Sequence, residues 1–290
     1  MFEQLGLIGC GLMGGSFALA LKRAGLVKRI VGYSKSPSTT ERARQLGVID
    51  VEAPSALLAV SGADIVMLAV PVASTEASFK SIKHLVTPNM LIMDVGSTKR
   101  DVVDAARRAL REQIGCFVPA HPIAGKELSG VENADADLYM GRQVVLTPLE
   151  RTGAIQLQQA IDVWCALGCR VVKMTPEAHD AAFAAISHLP HLIAFAAMNA
   201  IAGQPMGGDF LSLAGPGFRD FSRIAASDPA IWRDVMMSNR AELLAQSKIF
   251  QRNLQALELM INNGNGDALL EQIENASAAR ANWSMAKQQK

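Results

Sequence analysis

The sequence predicts an α/β fold, with a doubly wound, mostly parallel sheet followed by an all-α region. Short β-rich runs alternate with helical patterns through the first 175 residues. These runs are apolar without strict alternation, which is typical of strands that are buried on both faces. Beyond residue 176 no segment has a convincing strand pattern. We therefore expect two domains, residues 1–175 and residues 176–290.

The strand candidates of the first region share β-branched and apolar side chains between turn-forming residues. They cover residues 5–9, 29–34, 64–71, 90–95, 116–120, 142–147 and 170–174. The helical patterns between them cover residues 16–24, 38–46, 99–114 and 152–167. A helix between two strands returns the chain to the same edge of the sheet, so neighbouring strands are expected to be parallel.

The second region predicts three long helices, which cover residues 177–203, 228–263 and 267–285. Pro190 is expected to kink the first of them, because a proline inside a helix removes a hydrogen bond. The glycine- and proline-rich stretches 205–208 and 215–217 are expected to be loops. The first helix carries more apolar surface than a small bundle covers. This excess predicts a homodimer that forms through the helical domain.

Composition excludes some function classes. The net charge is +1 and 19% of the residues are charged, so no field of one sign is available to hold a nucleic acid or an anionic membrane. There is no uninterrupted apolar run of about 18 residues and no basic signal-like start. The four scattered cysteines are expected to be buried free thiols, which favours a cytoplasmic location. No metal site is expected from their spacing.

The strongest motif is a Gly-x-Gly-x-x-Gly turn between the first strand and the first helix. Its glycines are Gly9, Gly11 and Gly14. The first allows a tight turn, the second lets a pyrophosphate approach the backbone, and the third lets helix and strand pack closely. Leu12 and Met13, in the same turn, begin the helix whose amides would face the phosphates. The motif in this context predicts a Rossmann-type domain that binds NAD or NADP.

The end of the second strand bears on the choice between the two cofactors. An acidic residue there would bind the adenosine ribose of NAD. This chain has Ser34 followed by Lys35 instead. A hydroxyl beside a cation suits a 2′-phosphate, so we expect NADP to be preferred, with NAD possible. Val70 and Pro71, at the end of strand candidate 64–71, are also expected beside the cofactor.

Two polar residues follow strand candidates at the edge where ligands of such sheets bind. Ser97 follows strand 90–95, and His121 follows the next strand, 116–120. A histidine that faces a nicotinamide is suited to accept a hydrogen bond from a substrate hydroxyl, and Ser97 could orient its imidazole. The alternative is that His121 is structural.

The helical region adds two histidines and two arginines. His188 and His191 are three residues apart and so share one helix face. They could be half of a metal site, but without an evident third ligand they are better explained as polar groups lining a cleft. Arg219 and Arg223 are four residues apart, and arginine suits carboxylates. The alternative is that both are solvated or paired with a nearby aspartate.

Five motifs occur in order along the chain: Gly-Cys-Gly-Leu-Met-Gly-Gly-Ser, Gly-Ser-Thr-Lys, His-Pro-Ile-Ala-Gly, Ser-His-Leu-Pro-His and Gly-Phe-Arg-Asp-Phe-Ser-Arg. Together they resemble the prephenate/arogenate (cyclohexadienyl) dehydrogenases of tyrosine biosynthesis, over nearly the whole chain. The resemblance implies a Rossmann domain followed by a helical dimerisation domain. It also implies oxidation of a cyclohexadienol with loss of CO₂ and hydride transfer to NAD(P). It does not say whether prephenate or arogenate is preferred.

The resemblance implies a role for each matching residue. It makes His121 the catalytic group at the substrate hydroxyl, supported by the serine of the Gly-Ser-Thr-Lys motif. It places His191 and Trp232 in the substrate pocket and Arg223 on a substrate carboxylate. Whether Arg219 shares that task is left open.

Two other functions compete with this interpretation. A β-hydroxyacid dehydrogenase of the 3-hydroxyisobutyrate type has a similar glycine turn, but such enzymes resemble one another in a helix lysine followed by paired asparagines. Here Asn262 and Asn263 follow Met260 and Ile261 instead. A non-catalytic NADP-sensing protein would keep the glycine turn without needing the histidine, serine and arginine of the other motifs.

Overall fold

The computed structural model describes residues 1–126 and 128–283. The chain divides into two compact units, Met1–Asn239 and Arg240–Lys290. Residues on both sides of position 176 therefore lie in the first unit. The division into domains at 175/176 remains a prediction.

The main sheet confirms the predicted parallel α/β architecture. Its strands are β1 (Phe2–Ile8), β2 (Val27–Tyr33), β3 (Val51–Glu52), β4 (Ile65–Leu68), β5 (Leu91–Asp94) and β6 (Phe117–Val118). The spatial order is β3-β2-β1-β4-β5-β6, and every pairing is parallel. The two-residue strand β3 was not predicted. The order reverses between β1 and β4, the switch point where such sheets bind ligands.

Helices cover both faces of this sheet. They are α1 (Leu12–Arg23), α2 (Pro37–Gln45), α3 (Ala56–Val60), α4 (Thr75–Ile82), α5 (Arg100–Leu110) and α6 (Ala154–Ala166). The short helices α3 and α4 were not predicted. Strand β4 shows why a continuous apolar run is needed, since Ile65 and Met67 enter one apolar cluster while Val66 and Leu68 enter another.

A second, three-stranded sheet corrects one prediction. It consists of β7 (Ala120–Pro122), β8 (Gln143–Leu146) and β9 (Arg170–Lys173), with β7 antiparallel to β8 and β8 parallel to β9. The predicted single strand 116–120 is wrong, because β6 and β7 belong to different sheets. Pro119 separates them, and a proline cannot donate to a strand ladder. Its carbonyl instead accepts a hydrogen bond from the amide of Thr147 at 3.0 Å.

The first predicted long helix is present but not uniform. It consists of α7 (Pro176–Phe183), a π-helical segment (Ala184–His188) and α8 (Leu189–Ala202). The wider turn falls just before Pro190. Because proline lacks an N–H, the carbonyl one turn earlier in the helix has no usual hydrogen-bond partner. The predicted irregularity is therefore a π-helical turn that ends at His188.

The two stretches predicted as loops correct a second expectation. Helices α9 (Gly207–Ser212) and α10 (Pro216–Ser222) begin within them, and a 3-10 turn (Arg223–Ala226) follows. The loop prediction treated Pro216 as a residue that ends regular structure. In the first turn of a helix, however, proline has a favourable φ, and the N–H that it lacks would be unpaired there.

The predicted helix 228–263 is divided at Asn239 into α11 (Pro229–Ser238) and α12 (Arg240–Asn262). Helix α13 (Gly266–Asn282) follows and packs against α12 within the second unit. Positions 284 and 285 of the predicted last helix lie outside the described residues. In the described part of the chain beyond residue 176 there is no strand, as expected.

Among the helices of residues 1–126 and 128–283, one, Pro176–Ala202, could cross a membrane by length and composition, and 22% of its most apolar window is buried. A core helix meets the same criteria. This one carries three buried polar residues, His179, Asp180 and His188. The cysteines are free, but the expectation that all are buried is wrong for Cys165, which is exposed on α6.

Candidate active site

The glycine turn has the geometry that its motif predicts. Gly9 has a φ of 97°, and a Cβ there would lie 2.2 Å from the carbonyl oxygen of Ala69. A Cβ at Gly14 would lie 2.1 Å from the carbonyl oxygen of Gly9. No atom lies within 4 Å of a Cβ built at Gly11. The first and third glycines are therefore needed for packing, and the second opens to free space, as a pyrophosphate requires.

A cavity of about 350 Å³ borders this turn. The predicted site residues that line it are Gly11, Leu12, Met13, Val70, Pro71, Ser97 and Trp232. Residues 125–126 and 128–130 and the start of α11 complete its walls. No side chain caps the N-terminus of α1, so the amides of its first turn remain for an anionic ligand.

Ser34 connects the end of β2 to the glycine turn. Its Oγ accepts a hydrogen bond from the amide of Cys10 at 2.8 Å, and its own amide donates to Oγ1 of Thr40 at 3.0 Å. Burial raises the pKa of the Cys10 thiol to about 11, which keeps it neutral. That rise is opposed by a side-chain hydrogen bond from Ser34, so both the backbone amide and the thiol of Cys10 contact the hydroxyl of Ser34. Lys35 is exposed beside it.

His121 lies in β7 and contacts two residues of α7. Its Nδ1 is 2.8 Å from Nε2 of His179, and Nδ1 of His179 is 2.7 Å from Oδ1 of Asp180. The ring of Phe183 stacks on His179 and lies 4.7 Å from the His121 ring, between centroids. The nitrogen Nδ1 of His121 is therefore hydrogen bonded to His179 rather than to Ser97.

A buried ion pair fixes the backbone just before His121. Nζ of Lys99 lies 2.5 Å from Oδ2 of Asp94 and donates to the carbonyl of Ala120 at 2.7 Å. The other oxygen of Asp94 accepts the amide of Ala120 at 3.0 Å. Both polar backbone groups of Ala120 are thus held by this pair. A shift of the strand would leave the buried backbone groups of Ala120 without these hydrogen bonds, which costs about 1–3 kcal/mol for each group.

The environment sets the protonation of this cluster. Burial lowers the pKa of His121 well below 6.5, and repulsion from His179 and His188, when these are protonated, and from Lys99 acts in the same direction. Burial also lowers the pKa of His179, and it lowers that of His188 to about 4. Burial opposes ionisation of Asp180, but its hydrogen bonds outweigh burial and lower its pKa. At neutral pH the site therefore holds neutral imidazoles beside a carboxylate.

The other predicted substrate residues gather around Trp232. The ring of His191 stacks on it, with centroids 3.4 Å apart and planes at 19°, and the His188 ring lies 6.1 Å away at 76°. Nδ1 of His191 is hydrogen bonded to the carbonyl of Ser187 at 2.9 Å. Burial lowers the pKa of His191, and the positive charge of Arg223 acts in the same direction.

Arg219 is placed differently from Arg223. Its side chain is 76% exposed, and its Nε lies 3.4 Å from Oδ1 of Asp220. The charge of Arg223 acts on His191, whereas Arg219 pairs with Asp220 in solvent. The two arginines are also not on one helix, because α10 ends at Ser222.

Sequence reasoning missed the polar partners of His121. His179 and Asp180 stand at the start of a helix that the pattern marks as apolar, and a histidine–aspartate pair in such a helix was the available signal. Lys99 lies within the Gly-Ser-Thr-Lys motif, but its pairing with Asp94 depends on burial that no spacing reveals.

Comparison with known proteins now identifies the family. A family model for the nucleotide-binding domain of prephenate dehydrogenase matches residues 17–173, and one for its dimerization domain matches residues 175–275. The chain belongs to the prephenate dehydrogenase family. It is 34% identical to the prephenate dehydrogenase of Bacillus subtilis, over 97% of this chain and 76% of that protein. It is 33% identical to the cyclohexadienyl dehydrogenase of Zymomonas mobilis, over 97% and 96%.

Solved structures of prephenate dehydrogenase relatives agree with this membership. The Aquifex aeolicus prephenate dehydrogenase, in complex with hydroxyphenyl propionate and NAD⁺, has a TM-score of 0.90 at 35% identity and covers 97% of this chain and 98% of its own. The Synechocystis arogenate dehydrogenase has a TM-score of 0.82 at 28% identity, over 97% and 100%. A 3-hydroxyisobutyrate dehydrogenase from Salmonella typhimurium, with a TM-score of 0.55 at 19% identity, shares the fold alone.

Proposed function

We propose that this chain catalyses oxidative decarboxylation of prephenate, arogenate or both, in tyrosine biosynthesis. The observation that carries the proposal is a neutral, partly exposed His121. The residue before it, Ala120, is hydrogen bonded by Lys99, and the loop with Lys99 supplies Ser97 to the cavity at the glycine turn. A neutral imidazole at this place is the group that oxidation of a ring hydroxyl needs. Membership of the prephenate dehydrogenase family supports the choice of substrate class.

His121 would act as the proton acceptor. It takes the proton of the ring hydroxyl as hydride leaves the ring carbon that bears this hydroxyl. Loss of the ring carboxylate as CO₂ then leaves an electron pair that makes the ring aromatic, and the resulting phenol oxygen takes the proton back. A base placed in this way contributes about 10²–10⁴-fold in rate. Ser97, at the cavity wall, would hydrogen bond the same hydroxyl or the imidazole.

The far end of the substrate would be recognised by charge and by ring contacts. Arg223 is suited to a substrate carboxylate, since its guanidinium can bind both oxygens. His191, stacked on Trp232, would form the wall beside it, and His188 would close the pocket behind. Arg219 is paired with Asp220 in solvent, so we assign it no substrate contact.

The cofactor would occupy the cavity at the switch point. Gly9, Gly11 and Gly14 would shape the cradle for the pyrophosphate, and the first turn of α1, with Leu12 and Met13, would offer its amides. Val70 and Pro71, which line the same cavity, would border the nicotinamide side. When bound, NAD(P) supplies the hydride acceptor, while the protein positions and polarises the substrate.

For the cofactor we propose a preference for NADP, with NAD possible. It is supported by Ser34, which stands where a carboxylate would repel a 2′-phosphate, and by the exposed cation of Lys35. The expected result is a higher kcat/KM with NADP. Ser34→Asp should reverse the preference, because its carboxylate repels a 2′-phosphate yet can still accept the Cys10 amide. Equal or better use of NAD by the unmodified protein would exclude this proposal.

The function itself is tested by turnover with purified protein. Prephenate, arogenate and 3-hydroxyisobutyrate are each supplied with NADP or NAD, and the near-ultraviolet absorbance of the reduced cofactor is followed together with CO₂. We expect reduction with prephenate or arogenate, and one CO₂ for each reduced cofactor. Reduction with 3-hydroxyisobutyrate alone would support the rival enzyme, and cofactor binding without any reduction would support the sensor.

We also propose that residues 1–175 and 176–290 act as cofactor and dimerisation domains, and that the chain is a cytoplasmic homodimer. The match of residues 175–275 to a dimerization domain supports this. Ala194 is the only buried residue in α8, and several large apolar side chains of α12 and α13 are exposed in the described chain, among them Phe250, Leu259 and Leu270. Light scattering that shows a monomer at micromolar concentration would contradict the dimer.

A further inference from the structure

We propose that His179 and Asp180 are positioning residues that hold His121 in a single tautomer, with its proton on Nδ1 and the lone pair of Nε2 available to the substrate hydroxyl. The catalytic consequence rests on the proposed function. The tautomer itself is a property of the free protein and can be measured without any substrate.

The hydrogen bonds determine the tautomer step by step, starting from Asp180. Its two oxygens accept the backbone amides of Lys99, at 2.8 Å, and Arg100, at 3.0 Å. An ionised carboxylate only accepts hydrogen bonds, so Nδ1 of His179, 2.7 Å from Oδ1, must carry a proton. A neutral imidazole has one N–H, and Nε2 of His179 is therefore an acceptor.

The tautomer of His121 follows from that of His179. Its Nδ1 lies 2.8 Å from the acceptor Nε2 of His179, and a hydrogen bond between two nitrogens needs one proton. That proton must be on Nδ1 of His121. The remaining nitrogen, Nε2, has a free lone pair, which is the form that a proton acceptor requires.

The opposite arrangement would need a doubly protonated His179, which would donate to His121 and leave its proton on Nε2. The groups around the pair disfavour it. Two further groups lie around His121 and His179. Lys99, in the loop after β5, is positively charged, and His188, in the π-helical segment, is neutral. Asp94 is already paired with Lys99. Burial also lowers the pKa of His179, so its charged form is disfavoured at neutral pH.

One connected network fixes both the ring and the strand of His121. Asp180 holds the amide of Lys99, whose ammonium holds the carbonyl of Ala120, and the chain continues directly into His121. When His121 accepts the substrate proton, the O–H bond breaks and an N–H bond forms at Nε2. No other proton needs to move, because His179 keeps its own and Asp180 stays ionised. The carboxylate then offsets the new positive charge through the intervening imidazole.

The kinetic test compares two substitutions at one position. His179→Leu removes the acceptor, whereas His179→Gln can present an amide oxygen near the place of Nε2. Both variants lose the hydrogen bond from His179 to Asp180 but keep the two backbone amides that donate to Asp180. We expect His179→Leu to lower kcat by about 10–10²-fold, part of the contribution of a placed base, with KM nearly unchanged. His179→Gln should recover most of the loss. His84→Gln, at an exposed histidine outside the site, is the control and should match the unmodified protein.

A second measurement reads the tautomer directly. The chain has five histidines, so nitrogen-15 labelling of histidine gives a small set of imidazole signals. Long-range proton–nitrogen correlations in the free protein should show the His121 proton on Nδ1, and His179→Leu should shift it toward Nε2. A His121 proton on Nε2 in the unmodified protein would overturn the proposal, even if the variants fail to fold. An unmodified protein that has this tautomer but oxidises no cyclohexadienol would instead overturn the proposed function.

Discussion

The two ends of the candidate site are built differently. At the His121 end, an ion pair and a histidine–aspartate pair are buried and bonded to each other through Ala120 and Lys99. At the His191 end, the imidazole is partly buried and stacks on Trp232, and the nearby Arg223 is exposed. One end is fixed by hydrogen bonds in a low dielectric, and the other is held by ring stacking at the surface.

This difference separates chemistry from recognition. Buried hydrogen bonds are strong and leave one arrangement, which suits a group that must meet a proton in a fixed geometry. Exposed charges and stacked rings tolerate small changes, which suits recognition of a substrate side chain rather than proton transfer. Substitutions at the first end should therefore change kcat, and substitutions at the second should change KM.

The largest effect is expected for His121→Asn. The variant removes the proton acceptor but keeps a polar side chain, so kcat should fall by about 10²–10⁴-fold while KM stays nearly unchanged. Steady-state kinetics of cofactor reduction measure this. A variant that retains most of its kcat would make His121 structural and would remove the contrast between the two ends.

Arg223→Ala should act on substrate affinity instead. Loss of the guanidinium leaves the substrate carboxylate without its partner. This should lower kcat/KM by the equivalent of about 2–5 kcal/mol, mainly through a higher KM. Arg219→Ala is the matched control, because that arginine is four residues earlier and paired with Asp220 in solvent. If Arg219→Ala raised KM as much as Arg223→Ala, both arginines would bind substrate and our assignment would be wrong.

Burial of His188 predicts a pH-dependent stability. The folded pKa of about 4 lies below the ordinary 6.5, so the unfolded chain binds more protons between these values and stability falls as pH decreases through that window. The loss should be about 3 kcal/mol in the free energy of unfolding. Denaturant titrations at several pH values should show that the free energy of unfolding decreases less with falling pH in His188→Gln than in the unmodified protein. The same slope in both proteins would mean that His188 is not the group responsible.

The parallel sheet and the glycine turn were predictable because they are local. A continuous apolar run such as 64–71 depends on neighbouring residues, and so does the glycine motif that follows the first strand; both are present. The predicted cofactor residues Leu12, Met13, Val70 and Pro71 do line one cavity. The break of strand 116–120 at Pro119 needed knowledge of a second sheet, which forms only through distant pairing.

The polar network of His121 was not predictable for a related reason. His179 stands 58 positions from His121, and nothing in the spacing places one beside the other. The interruption of the helix at Asn239 likewise has a tertiary cause. The side-chain Nδ2 of Asn239 is hydrogen bonded to the carbonyl of Asp180 and to Nδ1 of His188. Helical periodicity could not show that this residue is used elsewhere.

The central claim is that the buried end holds His121 as a neutral base, and the pH dependence of kcat/KM tests it most directly. Burial lowers the pKa of His121, so the neutral form persists as pH falls, and activity is lost only when pH passes the lowered pKa. We predict constant kcat/KM through pH 6.5, a decline only at distinctly lower pH, and no such decline in the residual activity of His121→Asn. A decline centred at 6.5, or one that His121→Asn retains, would contradict the account.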